Sequence, residues 1–247
     1  MIESGPQSGA PRRGDGPLPS TSATSTPTTS TALPTGPDLG AWVAAWQPED
    51  HVLQAARQRA REVGVGAVDE ATGAALRVLA ALSGARHAVE LGTGAGVSTL
   101  WLLGGLHPDG VLTSIDAEPE HQRLARQGLT EARVPSGRVR LIAGRALEVL
   151  PRLQDGGYDL VLCDASSAET VDYVPAALRL LRLGGVVVFT GALAGGRIAD
   201  PSARDPEVLA ARELARVVKD EPRLVPALLP VGAGLLVAVK RDDPDSC

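Results

Sequence analysis

Apolar runs of strand length alternate with segments of helical spacing along most of the chain. Five such runs predict buried strands, at Ala88–Leu91, Val111–Ile115, Val139–Ile142, Tyr158–Cys163 and Val186–Phe189. Two closing runs, Leu224–Leu229 and Gly234–Val239, predict a hairpin. Because helices and strands alternate until that hairpin, we predict an α/β fold with a mostly parallel sheet and right-handed crossovers.

The segments between the runs predict helices. Their predicted ranges are Pro48–Glu62, Ala74–Leu82, Val97–Gly105, Pro119–Thr130, a helix with Tyr173 that ends near Leu183, and Pro206–Lys219. Ahead of them, Trp42 and Trp46 are four residues apart and share one face of a leading helix. We expect this face to cover a ligand cleft or a dimer partner, with ordinary packing on its own domain as the alternative.

The first 38 residues differ in composition from the rest. They are rich in Pro, Ser, Thr and Gly, with a run at Ser20–Pro27. Such a segment buries too little apolar surface to offset the entropy of ordering the chain. We therefore predict a disordered tail over residues 1–38, one Rossmann-like domain over residues 39–241, and a short C-terminal tail over residues 242–247.

Composition and charge narrow the possible functions. The chain has 247 residues, 44% of them hydrophobic and only 2% aromatic, so a core of Leu, Val and Ala is expected. A net charge of −5 without a basic run argues against broad nucleic-acid binding. Cys163 and Cys247 indicate neither a disulfide framework nor a zinc site. No run approaches the ~20 apolar residues of a membrane span, and no signal-peptide segment is present, so we expect a cytoplasmic protein.

The segment Ala88–Thr99 carries the most specific pattern in the sequence. It reads Glu-x-Gly-x-Gly-x-Gly, with Glu90 at the end of a strand and a helix after the last glycine. Glycines there allow positive φ and close approach of a ligand. A dinucleotide fingerprint, Gly-x-Gly-x-x-Gly, would need its third glycine at Val97, one residue later than Gly96. An acid before the turn instead suits a ligand with a cationic end, and a turn without a ligand is the plainer alternative.

Two further acids follow predicted strands. Asp116 ends the strand at Val111–Ile115, and Asp164 ends the strand at Tyr158–Cys163. The carboxyl ends of parallel strands meet at one edge of a sheet, where open α/β folds bind ligands. Asp116 is placed to accept hydrogen bonds from ribose hydroxyls, or alternatively to cap the next helix. Ala146, just past a strand end, leaves room for a flat adenine or simply fits a tight turn.

With these residues in place, the chain resembles the S-adenosylmethionine (SAM)-dependent O-methyltransferases, and within them the caffeoyl-CoA and catechol O-methyltransferase family with its small bacterial members. The resemblance covers about residues 40–241 and is strongest over Glu90–Trp101. It implies a seven-stranded sheet whose last strand is antiparallel, helices on both faces, additional N-terminal helices, a homodimer, and a small hydroxylated molecule as methyl acceptor.

The resemblance also implies roles for individual residues. The methionine part of SAM would be held by Glu90, Gly92, Thr93, Gly94 and Ser98, in a pocket that Val68 also lines. Asp116 would hold the ribose, Ala146 would flank the adenine, and Asp164 would lie beside the cofactor.

The chain departs from this family where relatives bind a divalent metal. The family's Asp-Ala-Asp-Lys motif is here Asp164-Ala165-Ser166-Ser167, and its later Asp-Asn pair falls on Thr190 and Gly191. Mg²⁺ and Ca²⁺ prefer several oxygen ligands, above all carboxylates. We therefore predict no catalytic metal, and no general base can be named.

Three functions follow in order of preference. The first is a metal-independent SAM-dependent O-methyltransferase. The second is a SAM-binding protein that has lost catalysis and acts as a regulator or partner, because the metal motif is degraded. The third is a nucleotide-dependent oxidoreductase, which Glu90 and Val97 disfavour.

Overall fold

A computed structural model describes residues 37–165 and 167–242. The predicted N-terminal and C-terminal tails therefore lie outside the described residues, apart from residues 37, 38 and 242. The first helix of the described residues begins at Pro37.

A single seven-stranded sheet forms the centre of the described domain. Its strands are β1 (His87–Leu91), β2 (Val111–Asp116), β3 (Val139–Ala143), β4 (Tyr158–Cys163), β5 (Leu181–Phe189), β6 (Leu224–Leu229) and β7 (Leu235–Lys240). The spatial order is β3-β2-β1-β4-β5-β7-β6. β7 runs antiparallel to both β5 and β6, while the other neighbouring pairs are parallel. The predicted α/β class, the parallel sheet, the antiparallel last strand and the closing hairpin are confirmed.

The strand order places a crevice beside β1. From β1 the chain moves to β2 and β3 on one side, and then returns to β4 on the other side. The crossover connections therefore diverge between β1 and β4, and ligands of open α/β sheets bind at such a point. Glu90 lies beside Ser114 of β2 and Leu162 of β4 in the strand register.

Helices surround this sheet. They are α1 (Pro37–Trp46), α2 (His51–Glu62), α3 (Glu70–Leu82), α4 (Val97–Leu103), α5 (Pro119–Glu131), α6 (Ala146–Val149), α7 (Thr170–Leu180) and α8 (Pro206–Asp220). Short 3-10 turns lie at Ser136–Arg138, Leu150–Arg152, Ser167–Glu169 and Ala194–Ala199. The predicted ranges of α4, α5 and α8 are reproduced to within two residues at each end, while α2 begins at His51, three residues after its predicted start.

Two further predicted boundaries are wrong, for local reasons. α3 begins at Glu70, four residues before the predicted start, because the Asp69 side chain accepts a hydrogen bond from Thr72 N at 2.7 Å and caps the helix. α7 ends at Leu180, and β5 begins at Leu181 and includes the Gly184–Gly185 pair. The β4–β5 register shifts at that pair, so the two glycines form an irregularity within a strand instead of a turn before it.

Leu, Val and Ala dominate the core on both faces of the sheet, as the composition predicts. Trp42 and Trp46 of α1 are instead 64% and 71% exposed, so this helix face does not pack on the described domain. Within the described ranges, no helix has the length and apolar character needed to cross a membrane.

Candidate active site

A cleft of about 890 Å³ opens at the C-terminal edge of the sheet, over the crevice between β1 and β4. Its volume is within the usual range for small-molecule sites. The lining comes from the glycine turn, the ends of β2, β3, β4 and β5, the linker before α3, and the turn between β6 and β7. The lining includes all but one of the predicted cofactor residues, namely Val68, Gly92, Thr93, Gly94, Ser98, Asp116, Ala146 and Asp164. The exception, Glu90, lies beneath the cleft.

The glycine turn is shaped by two close contacts. Gly92 has φ of +92°, and a Cβ there would lie 2.4 Å from the carbonyl oxygen of Asp164. Gly96 has φ of +88°, and a Cβ there would lie 3.1 Å from Cα of Ala125 in α5. Both positions therefore need glycine for backbone conformation and for packing. The turn delivers the backbone directly into α4, with Gly96 as its N-terminal cap residue.

Glu90 has no exposed surface. One carboxylate oxygen, Oε2, accepts hydrogen bonds from Thr99 Oγ1 and Ser114 Oγ, both at 2.6 Å. The other oxygen, Oε1, is buried without a hydrogen-bond partner. Burial raises the pKa of Glu90 to about 7, while the Ser114, Thr99 and Ser98 hydroxyls oppose this rise and the charge of Asp164 adds to it.

Asp164 forms a second acid of the cleft floor, at the end of β4. Burial raises its pKa to about 6, against hydrogen bonds from Thr190 and Ser98. Ser98 thus acts on both carboxylates. Among the described residues, no ion pair involves Glu90 or Asp164. The floor therefore carries one buried acid, Glu90, and one half-buried acid, Asp164, and both lack a cationic partner within the described part of the chain.

Asp116 lies at the end of β2, on the opposite wall. Its carboxylate accepts hydrogen bonds from the backbone N–H groups of Gly94 and Glu118, both at 2.9 Å. Nδ1 of His121 lies 3.2 Å from both oxygens. Asp116 thus fixes the middle of the glycine turn and also forms a local turn before α5, which starts at Pro119 with Glu118 as its cap residue.

The part of the sequence that forms this cleft also matches a known protein family. The profile of the O-methyltransferase family matches residues 50–241, which are most of the chain. This chain belongs to the O-methyltransferase family. It is thus an enzyme of the methyl-transfer class, and the family predicted from Glu90–Trp101 is confirmed.

Relatives and solved structures agree with this family. A protein of Mycobacterium tuberculosis named "Probable O-methyltransferase" is 56% identical over 192 residues, which cover 78% of this chain and 86% of the relative. The O-methyltransferase TomG of Streptomyces achromogenes, solved with SAM, has a TM-score of 0.75 at 31% identity, covering 83% of this chain and 96% of TomG. A Bacillus cereus O-methyltransferase, solved with S-adenosylhomocysteine, also has a TM-score of 0.75, at 28% identity, covering 83% and 97%.

The family resemblance implied that relatives bind a metal at the positions of Asp164, Thr190 and Gly191. In this chain, two of these residues form a hydrogen bond with each other. Thr190 Oγ1 donates to Asp164 Oδ1, and Gly191, with φ of +65°, has no side chain to contribute. Asp164 is a single carboxylate, and one of its oxygens already accepts a hydrogen bond. It is therefore a poor ligand set for Mg²⁺ or Ca²⁺. In the described ranges, no group of three or more His, Cys, Asp or Glu side chains is placed to hold a metal ion.

The sequence did not indicate a polar cluster on the wall of the cleft. Arg145 pairs with Glu169 at 2.6 Å, and Glu169 also accepts a hydrogen bond from the Tyr173 hydroxyl at 2.8 Å. This hydrogen bond, together with Arg145, lowers the pKa of Glu169, and burial raises the pKa of Tyr173. Glu169 and Tyr173 are only four residues apart, but Arg145 comes from a segment 24 residues before Glu169, so local spacing could not reveal the whole cluster.

Arg197 and Asp200, in the loop after β5, lie away from the cleft. Arg197 pairs with Asp205 at 2.7 Å and with Glu207 at 2.6 Å, while Asp200 accepts hydrogen bonds from Ser202. Neither residue lines the cleft, and both belong to an exposed surface.

Proposed function

We propose that this chain uses SAM to methylate a hydroxyl group of a small acceptor, without a catalytic metal. One observation carries the proposal: the fully buried Glu90 and the half-buried Asp164 lie at the floor of the cleft and have no cation partner among the described residues. Buried charges are normally paired, and an unpaired acid raises its pKa instead. A ligand that brings a positive charge into this cleft would supply the missing partner.

The residues of the cleft fit SAM, which carries an ammonium and a sulfonium group. We assign its methionine part to Glu90, Gly92, Thr93, Gly94 and Ser98, with Val68 against the same part. Glu90 acts from beneath the floor, as a charge in a region of low dielectric, where attraction over several Å is stronger than in water. The buried, unpartnered Oε1 of Glu90 and the open glycine turn are the features that support this assignment.

The remaining contacts concern the nucleoside. We assign the ribose to Asp116, whose carboxylate lines the cleft beside the glycine turn. We assign one face of the adenine to Ala146, the first residue of α6, which is small and also lines the cleft. Asp164 lies beside the cofactor at the end of β4.

When bound, SAM supplies a methyl group that is activated by the positive sulfur. The chain's own task is to hold the acceptor oxygen about 3–3.5 Å from that carbon and in line with the bond that breaks. The hydroxyl proton must also leave. In the absence of a metal, an acceptor whose hydroxyl is itself acidic, such as a phenol, suits this cleft.

The absence of a catalytic metal is tested by chelation. We expect EDTA, at a concentration that strips Mg²⁺ and Ca²⁺, to leave methyl transfer unchanged. Activity that is lost with EDTA and restored by Mg²⁺ would contradict this part of the proposal and leave the use of SAM intact.

Calorimetric titration of the purified protein with SAM, S-adenosylhomocysteine and NAD tests the proposal as a whole. We expect the first two to bind and NAD not to bind. Binding of NAD alone would favour an oxidoreductase. Binding of SAM without methyl transfer to any member of a panel of phenols and hydroxylated acyl-CoA compounds would favour a catalytically inactive regulator or partner protein.

We also propose that the enzyme works as a cytoplasmic homodimer. The exposed Trp42 and Trp46 on α1 support a protein partner at this face, because large exposed apolar side chains mark interaction surfaces. The unpaired, buried Cys163 suits a reducing compartment. Light scattering of the full chain and of Trp42→Ser/Trp46→Ser tests the dimer, which we expect the double substitution to weaken.

A further inference from the structure

The buried hydroxyl groups around Glu90 form a chain with a defined direction. Ser114 lies directly beside Glu90 in the register of β1 and β2, and Thr99 lies on the first turn of α4. Each hydroxyl has one proton, and both protons are donated to Glu90 Oε2 at 2.6 Å. Neither side chain has any appreciable exposure to solvent.

The orientation of Ser114 is set by two further buried residues. Because the Ser114 proton is given to Glu90, the 2.6 Å contact between Ser114 Oγ and Thr93 Oγ1 requires Thr93 to be the donor. Gln122 Nε2 then donates to Thr93 Oγ1 at 3.2 Å and also to the carbonyl oxygen of Ile142 at 3.2 Å. All the donors thus point towards Glu90, the arrangement that favours a carboxylate over a carboxylic acid.

We propose that Ser114 and Thr99 are positioning residues for cofactor binding: they hold Glu90 as a carboxylate through Oε2 and leave Oε1 as the unpaired negative end beneath the cleft, with Thr93 and Gln122 orienting Ser114. The hydroxyls act through Glu90 and do not line the cleft, except for Thr93 in the glycine turn. This inference rests on the proposed function, because the ligand it concerns is SAM or its product.

The arrangement is not needed for packing alone. A protonated Glu90 would carry its own proton and would need fewer donors, and an apolar residue at 114 would fill a strand position beside Leu141 of β3. Among the described residues, the charge of Asp164 acts on Glu90 and opposes its ionisation. The hydroxyl donors oppose both burial and that repulsion, and the pKa of Glu90 still remains raised to about 7.

Thr99→Val and Thr99→Ser provide a matched test. Valine keeps the shape of threonine and removes the hydroxyl, while serine keeps the hydroxyl and removes a methyl group. We expect Thr99→Val to weaken S-adenosylhomocysteine binding at pH 7 by roughly 10- to 100-fold, the range for a hydrogen bond to a charged group. We expect Thr99→Ser to bind within about threefold of the wild type, and Ser114→Ala to resemble Thr99→Val.

The dependence of affinity on pH separates positioning from a structural defect. In wild type, affinity should rise with pH up to about 7, where Glu90 ionises. In Thr99→Val and Ser114→Ala this rise should move to higher pH, so that part of the lost affinity returns at pH 9. Thr113→Val, a buried hydroxyl removed from the opposite face of the same strand, should leave both the affinity and its pH profile unchanged.

The outcomes are distinct. Equal affinity and an equal pH profile in wild type, Thr99→Val and Ser114→Ala, with all three folded by circular dichroism, would overturn the inference. So would an equal loss in Thr99→Ser and Thr113→Val, because this would indicate sensitivity to packing alone. Absence of SAM and S-adenosylhomocysteine binding in the wild type at every pH would instead overturn the proposed function.

Discussion

Two buried glutamates on either side of α4 show how a structural acid differs from a binding acid. Glu49, at 7% exposure, accepts hydrogen bonds from the Arg57 guanidinium on both oxygens, at 2.8 and 2.5 Å, and from Trp101 Nε1 at 3.2 Å. Glu90, at 0% exposure, receives two hydroxyl protons on one oxygen and none on the other. Both are buried, but only Glu49 has a cation of its own.

The difference lies in where the balancing charge comes from. Glu49 and Arg57 neutralise each other and join the start of α2 to Trp101 of α4. The Glu90 carboxylate is supported by neutral donors, which stabilise a charge without cancelling it. A buried carboxylate that a protein stabilises but does not neutralise is therefore a better indicator of a ligand site than burial or charge alone.

The largest expected effect is on stability and comes from Arg57→Met. Removing the cation leaves Glu49 buried and unpaired, so we expect a loss of about 3–5 kcal/mol in the free energy of unfolding. S-adenosylhomocysteine affinity of the folded variant should remain within about threefold of wild type, since the Arg57 side chain does not line the cleft. Urea denaturation together with calorimetry measures both quantities. An Arg57→Met variant with unchanged stability and weakened binding would contradict the division into a structural acid, Glu49, and a binding acid, Glu90.

For Glu90→Gln we expect the opposite pattern, with the main loss in ligand binding and not in stability. The amide retains the shape of the side chain and removes its charge, and we expect S-adenosylhomocysteine binding to weaken by about 2–4 kcal/mol, as for the loss of one charge of a buried pair. Calorimetry at pH 8, where wild-type Glu90 is ionised, measures this difference. Wild-type affinity in the amide variant would show that Glu90 is not a cofactor group.

The stability of the ligand-free protein should also distinguish the two acids. Because the pKa of Glu90 is raised to about 7 in the folded state from 4.5, the native state retains a proton between these pH values that the unfolded chain has released. The free energy of unfolding therefore falls as pH rises through this window, by up to about 3 kcal/mol from this group. Asp164, with its pKa raised to about 6 from 3.8, adds to the same trend over a lower window.

The contribution of Glu90 to this trend can be isolated. Glu90→Gln should be more stable than the wild type at pH 8 without ligand, and the difference should shrink towards pH 4. Urea denaturation at both pH values, with Thr113→Val as a control of unchanged charge, measures it. A constant difference between the two proteins across this range would contradict the raised pKa of Glu90.

Asp116→Ala should have a smaller effect. Removing the carboxylate leaves a ribose hydroxyl pair without its acceptor and also releases the backbone N–H of Gly94, so we expect SAM binding to weaken by about 1–3 kcal/mol. Comparing SAM with free methionine separates the two causes. Weakened binding of SAM alone indicates a ribose contact, whereas equal weakening of both indicates a disturbed glycine turn.

The fold was largely predictable from local patterns. Apolar runs and glycine turns located six of the seven strands to within three residues at each end, and Glu90, Asp116 and Asp164 were placed correctly at one edge because parallel strands end together. β5 was the exception, because Gly184–Gly185 reads as a turn and only the pairing with β4 reveals that it continues a strand.

The partners of Glu90 were beyond the reach of local patterns. Ser114 reaches Glu90 because β1 and β2 pair in a specific register, and a shift of one residue would replace it with Thr113 or Ile115. Likewise, Trp101 joins Glu49 across 52 residues of sequence. Such contacts depend on tertiary packing, which neither residue type nor spacing specifies.

The close approach of Gly92 to the Asp164 carbonyl oxygen, where a Cβ would lie only 2.4 Å away, limits how this enzyme could be retargeted. The glycine turn and the end of β4 are in close contact, with no spare volume between them. A new side chain on one of these two segments would therefore displace the other segment. Substitutions that change the preference for the acceptor should therefore be made on surfaces away from this contact. The linker at Val65–Ala67 and the hairpin turn near Ala233 border the cleft and are the places where a library of variants should begin.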